Sequence, residues 1–189
     1  MEEKLPSREQ ALRLLHEHLS DPQLLAHSLA AEAIMRRLAR KLGEDEELWG
    51  LSGLLHDLDL QSVANDMSVH GRRTEQWLSE LGFPRAGIEA VLRHNAEGLG
   101  LDRTTRFDHA LAAAEQITGM IKAATLVLPS RKVADVKAAS VLKRMKDKRF
   151  AANVDRASIA ECGQLGIELP DFIQLSIEAM AEIADELGL

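Results

Sequence analysis

An all-α fold, a single compact multi-helix bundle of about eight helices, is what this chain predicts. Three observations carry that expectation. Apolar residues recur at three- and four-residue spacing through most of the chain, glycines and prolines fall between those runs, and no alternating strand pattern of useful length competes.

Taken in order, Asp21-Pro22 has the form of an N-cap and first helical residue, so a helix is expected over 23–42, ended by Gly43. It places His27, Ala31, Ile34 and Leu38 on one stripe, which turns His27 toward the core. The next run, about 45–57, is apolar on nearly every face, as in a central helix surrounded by others. Gly50 and Gly53 inside it each cost about 1 kcal/mol against alanine, which points to close approach by another helix. After a polar loop through Asn65 and Asp66, a helix over 72–81 stops at Gly82 and Pro84, and another spans 85–94. A long helix over 105–128 follows, carrying Glu115 among alanines and ending before Pro129. Three more are expected over 136–148, 155–165 and, strongly amphipathic, 169–187.

A chain of 189 residues suits one domain, 1–189, with a core at 22–128 and a C-terminal helical extension at 129–189. With 46% apolar and 28% charged residues, the composition excludes a disordered chain. No apolar stretch reaches membrane-span length and the first residues lack the pattern of a secretion signal, so a cytoplasmic protein without a membrane partner is expected. The net charge of -7, the absence of tyrosine and the scarcity of other aromatics argue against nucleic acid. Against the acidic whole, the segment 131–149 carries Arg131, Lys132, Lys137, Lys143, Arg144, Lys146, Lys148 and Arg149, either a solvated face or a grip on phosphate.

Cys162 is the only cysteine, so any metal must use nitrogen and oxygen ligands. His56-Asp57 closes the apolar run, His27 precedes it, and His70, His94 and then Glu115 follow it. Each histidine alone is more often structural than a ligand. Their ordered arrangement points to a metal centre, since imidazole and carboxylate suit Fe, Mn, Co, Ni or Zn. Burying Asp57 and Glu115 without a cation or hydrogen bonds would be costly. His16, His18 and His109 are assigned to the surface.

These residues resemble the HD-domain superfamily of metal-dependent phosphohydrolases, whose pattern is a histidine, a His-Asp pair and a distal aspartate. The resemblance rests on Ala-His-Ser-Leu-Ala at His27, Gly-Leu-Leu-His-Asp-Leu-Asp at His56 and Asp57, Val-His-Gly at His70, Arg-His-Asn at His94 and Ala-Ala-Ala-Glu-Gln-Ile-Thr-Gly at Glu115. It implies an HD-type helical domain in which His27, His56 and Asp57 hold a first ion, and His70 and His94 match the extra histidines of two-metal members, with Asp57 between the ions. His56 and Asp57 would form the catalytic centre. One or two divalent transition ions would activate water for hydrolysis of a phosphate ester or anhydride, the substrate a small phosphorylated molecule such as a nucleotide. Glu115 departs from the usual aspartate, and from it comes the alternative of a catalytically weakened, metal- or nucleotide-binding regulatory module. No lysine stands between Leu60 and Val69, where two-metal relatives carry one. Arg72, Arg73, Lys132 and Lys137 are the candidates for holding phosphate, and Asp59 either orients a ligand histidine or simply caps the chain's exit from the helix.

Overall fold

The computed structural model describes residues 3–189, so Met1 and Glu2 lie outside it. The chain folds into eleven α-helices with no strand among the described residues. α1 (Arg8–His18) is not anticipated above, although Ser7 and Gln10 form a capping box at its start. Its Arg8 donates to both carboxylate oxygens of Glu32, at 2.8 and 2.9 Å, which fastens α1 to the next helix.

α2 (Pro22–Leu42) begins at the Asp21 cap and ends at Gly43, whose φ of 73° is the left-handed conformation glycine adopts without strain. α3 (Glu46–Leu55) is buried from Trp49 to Leu55 and packs along α2. Their contact explains both glycines. A Cβ on Gly53 would lie 2.9 Å from the Ala31 carbonyl oxygen, and one on Gly50 would lie 2.5 Å from Cγ of Arg36. Arg36 threads that gap to reach Glu32 at 2.9 Å and Glu47 at 2.7 Å.

A run of turns leads to α4 (Arg72–Glu80), α5 (Arg85–His94) and the single turn α6 (Ala96–Leu99). α7 (Arg106–Leu126) is the centre of the bundle, packed against α2, α3 and α5. Its buried Ala110, Ala112, Ala113 and Ala114 let those neighbours approach closely.

The last third is more broken than the periodicity suggests. The expected helix over 136–148 shortens to α8 (Ala138–Arg144), preceded by a 3-10 turn (Val133–Asp135). The run 155–165 is α9 (Arg156–Ala160) continued as a 3-10 helix to Leu165, with Gly166 turning the chain at φ 73°. The C-terminal run divides at Ile183 into α10 (Leu169–Glu182) and α11 (Ala184–Leu187). The all-α class holds, and the larger helix count comes from α1, the single turn α6 and the division of the C-terminal run at Ile183. One hydrophobic core runs through the chain from Ala11 to Met180. No helix among the described residues is long and apolar enough to cross a membrane.

Candidate metal centre

Six side chains from five places in the bundle meet at the C-terminal end of α3. His27 comes from α2, His56 and Asp57 from the end of α3, His70 from the turn before α4, His94 from the last residue of α5, and Glu115 from the middle of α7. His27, His56 and Asp57 bring one ligand atom each to within 4.8 Å of one another, and so do Asp57, His70 and His94. Asp57 belongs to both sets. Its Oδ2 is 3.5 Å from Nε2 of His27, and its Oδ1 is 3.4, 3.1 and 3.4 Å from Nε2 of His56, His70 and His94.

All four imidazoles turn the same nitrogen inward, and the outer nitrogen of each meets an acceptor. Nδ1 of His56 donates to the Gly53 carbonyl at 2.8 Å, and Nδ1 of His94 to the Val91 carbonyl. Each is the carbonyl three residues back, left without a partner in the last turn of the same helix. Nδ1 of His70 donates to Asp59 at 2.7 Å. Nδ1 of His27 lies 2.9 Å from Oγ1 of Thr118, whose own hydroxyl donates to the Glu115 carbonyl at 2.6 Å. Thr118 therefore accepts from His27. Held neutral with the proton on Nδ1, as a bound cation would hold them, the four rings would aim lone pairs from Nε2 at the centre.

That donor set fits a cation. Nε2 atoms face each other at 3.1 Å between His27 and His56 and at 2.9 Å between His70 and His94. Two imidazole nitrogens at right angles about an ion, each at ~2.1 Å, would be about 3.0 Å apart. Two lone pairs at that separation repel unless positive charge stands between them.

The electrostatics agree in direction. Burial pushes His27 below its ordinary value and His56 down to about 3. Burial alone would raise the Asp57 carboxyl, yet the surrounding imidazoles, His56 first and then His70 and His94, outweigh it and hold Asp57 well below the usual carboxylate range. Burial also opposes a proton on His70, but Asp57 and Asp59 overcome it and lift His70 to about 9. Glu115 is pushed up to about 8, first by burial and then by the Asp57 charge. The cluster attracts positive charge.

Glu115 stands beside the two sets rather than within them. Its Oε2 is 4.0 Å from Nε2 of His27, and Gln116 donates to its Oε1 at 2.8 Å. Asp59, fully buried, holds His70 and at the same time accepts from the backbone N–H groups of Gly71, Arg73 and Thr74, at 2.9, 3.1 and 3.4 Å. It thus caps the helix that follows His70, where Gly71 supplies no side chain of its own.

The four expected phosphate-holding residues are elsewhere. Arg72 and Arg73 are exposed at the start of α4, and Lys132 and Lys137 are exposed on the segment that follows α7. None lines the cleft of about 300 Å³ that opens onto the centre, whose walls include Asp57, His70, His94, Glu97, Glu115 and Asp155. Of the histidines assigned to the surface, only His16 is exposed. His18 stacks on Trp77 with ring centroids 3.9 Å apart, and His109 pairs with Glu161 at 2.7 Å.

Three residues that build the site carry no signal in the local sequence. Thr118 sits on the apolar stripe of α7. Asn95 donates to the carbonyls of Met67 and His70, at 2.7 and 3.0 Å, and so ties the His70 turn to the end of α5. Arg103, nearly buried, donates to the carbonyls of Arg93 at 3.0 Å and His94 at 2.7 Å while pairing with Glu97 and Glu161. It satisfies the last carbonyls of α5 and thereby holds the backbone that carries His94.

No curated protein and no solved structure gives a significant match to the chain. A family model described as HD domain matches residues 24–145, well over half of the chain and the whole of the histidine and carboxylate cluster. HD domains are in general metal-dependent hydrolases, and a chain with this cluster on this helical scaffold belongs to the HD domain family.

Proposed function

We propose that this chain is a phosphohydrolase acting on a small phosphate ester or anhydride, nucleotides among them, with two divalent transition ions held side by side. The observation that supports this reading is the pair of ligand sets sharing Asp57, with all four Nε2 atoms turned inward. His27, His56 and Asp57 would hold one ion, with Glu115 beside it, and Asp57, His70 and His94 the other. Ions held there would supply Lewis acidity, lowering the pKa of water and drawing charge from phosphate oxygens.

The protein's own part is preorganisation. The Gly53 and Val91 carbonyls, Asp59 and Thr118 hold four rings in the one tautomer that leaves Nε2 free. Arg103 and Asn95 fix the backbone at His94 and His70. Asp57 and the near-complete burial of His56, His70 and His94 would keep the ions' charge close to a phosphate in the adjoining cleft. The exposed Arg72, Arg73, Lys132 and Lys137 have no role in this scheme.

The test is metal analysis of protein purified without chelator, followed by phosphate release from a panel of phosphate esters with added Mn, Fe, Co, Ni or Zn. Metal-dependent release abolished by Asp57→Ala is the expected result. The 4.0 Å between Glu115 and His27 favours a second reading, a metal-holding regulatory module without turnover. Metal retained without release from any ester would establish that one instead.

A further inference from the structure

Gln116, half-buried on α7, is tied at both ends of its amide. Its Oε1 accepts from the Asp155 backbone N–H at 2.6 Å, and its Nε2 donates to Oε1 of Glu115 at 2.8 Å. A backbone N–H can only donate, so the first contact fixes which end of the amide is oxygen and turns the NH2 toward the carboxylate. The anchor lies outside the ligand cluster, since Asp155 is the cap of α9, 39 residues along the chain. Glu115, Gln116 and Asp155 all line the cleft that also reaches Asp57, His70 and His94.

The carboxylate held in this way stands close to an ion position without joining its ligands. Two atoms each ~2.1 Å from one ion are at most about 4.2 Å apart. Oε2 of Glu115 meets that limit toward His27, at 4.0 Å, yet neither group of ligand atoms lying within 4.8 Å of one another includes Glu115. Its backbone belongs to the turn that also fixes His27, because Thr118 donates to the Glu115 carbonyl and accepts from His27 Nδ1. Only rotation of the side chain can then bring the carboxylate onto the ion, and Gln116 opposes that rotation by engaging Oε1. An ion bound by His27, His56 and Asp57 alone keeps a position free, as catalytic ions do and closed structural sites do not.

Resting on the hydrolase reading, we propose that Gln116 is a positioning residue that holds Glu115 off the ion of His27, His56 and Asp57, and so keeps a coordination position open to a phosphate oxygen from the cleft. The chelator-stripped chain is titrated with Mn2+, and the Mn-loaded chain with inorganic phosphate. Gln116→Met frees Glu115 to close on the ion, so one equivalent of Mn2+ should bind about tenfold more tightly and phosphate about tenfold more weakly. Loss of a merely structural support would loosen the metal instead. Gln116→Ala, which removes the amide without adding bulk, should give the same signs. In a Glu115→Ala background neither substitution should move either affinity by more than about twofold, because Gln116 acts through Glu115. Mn2+ binding unchanged or weakened by both substitutions overturns the proposal, as does tightening that persists without Glu115 or that leaves phosphate affinity unchanged. Wild type that takes up neither Mn2+ nor Zn2+ would bring down the metal centre on which the hydrolase reading stands, and this inference with it.

Discussion

Asp59→Asn separates the two ligand sets. In the native protein one oxygen, Oδ1, accepts from His70 Nδ1 at 2.7 Å, and the other, Oδ2, accepts from the N–H groups of Gly71, Arg73 and Thr74. An amide keeps a single acceptor oxygen. Facing it to the three backbone N–H groups preserves the cap of α4 and leaves the amide NH2 against His70. Two donors cannot share that contact, so His70 must move its proton to Nε2, the nitrogen that looks at Asp57. The lone pair at the second metal position is lost. Disturbing such an outer partner typically costs ten- to a hundredfold in metal affinity, or about 1.4–2.8 kcal/mol. Because the cap survives, folding stability should fall by only about 1–2 kcal/mol, the difference between a charged and a neutral acceptor at a helix N-terminus. The assay is metal titration followed by elemental analysis. Wild type is expected to hold two equivalents and the variant one, because His27 and His56 take their orientation from Thr118 and Gly53. Both equivalents retained at unchanged affinity would refute the reasoning, and so would loss of both in a variant that remains folded.

Three further outcomes follow from the same geometry. Chelation should lower the melting temperature by about 5–10 °C, since a ligand at a hundred times its Kd contributes about 2.7 kcal/mol and a chain of this size shifts by about 2–4 °C per kcal/mol, as calorimetry with and without EDTA would show. Gly53→Ala should destabilise by about 1–3 kcal/mol in chemical denaturation despite the better helix propensity of alanine, because its Cβ would lie 2.9 Å from the Ala31 carbonyl oxygen; a stabilised variant would contradict the packing of α2 on α3. Arg103→Gln leaves the Arg93 and His94 carbonyls and two carboxylates short of a partner and should cost about 2–4 kcal/mol, with weaker metal binding at the His94 position measured in the same titration.

Much of the bundle is legible along the chain because helix ends are local events. Asp21-Pro22 and Gly43 bound α2 where expected, and α5 occupies the expected residues. Gly50 and Gly53 announce a close helix contact before any partner is known. The helix ends of the last third were less legible, since a shift from α to 3-10 geometry at Glu161 and the break at Ile183 involve no proline and no strong local stop. His18 and His109, assigned to the surface, are half-buried against Trp77 and Glu161, residues distant in sequence.

What the amino-acid order determined by itself is the helical class, the caps, and the succession of His27, His56-Asp57, His70, His94 and Glu115. Tertiary structure alone decided that Thr118 holds His27, that Glu115 waits 4.0 Å from His27, and that the exposed basic residues do not line the cleft at the centre. The physical reason is range. Caps and amphipathic stripes act within a few residues, but the contact that selects the tautomer of His27 joins positions 91 residues apart, and it comes into being only when α2 and α7 pack.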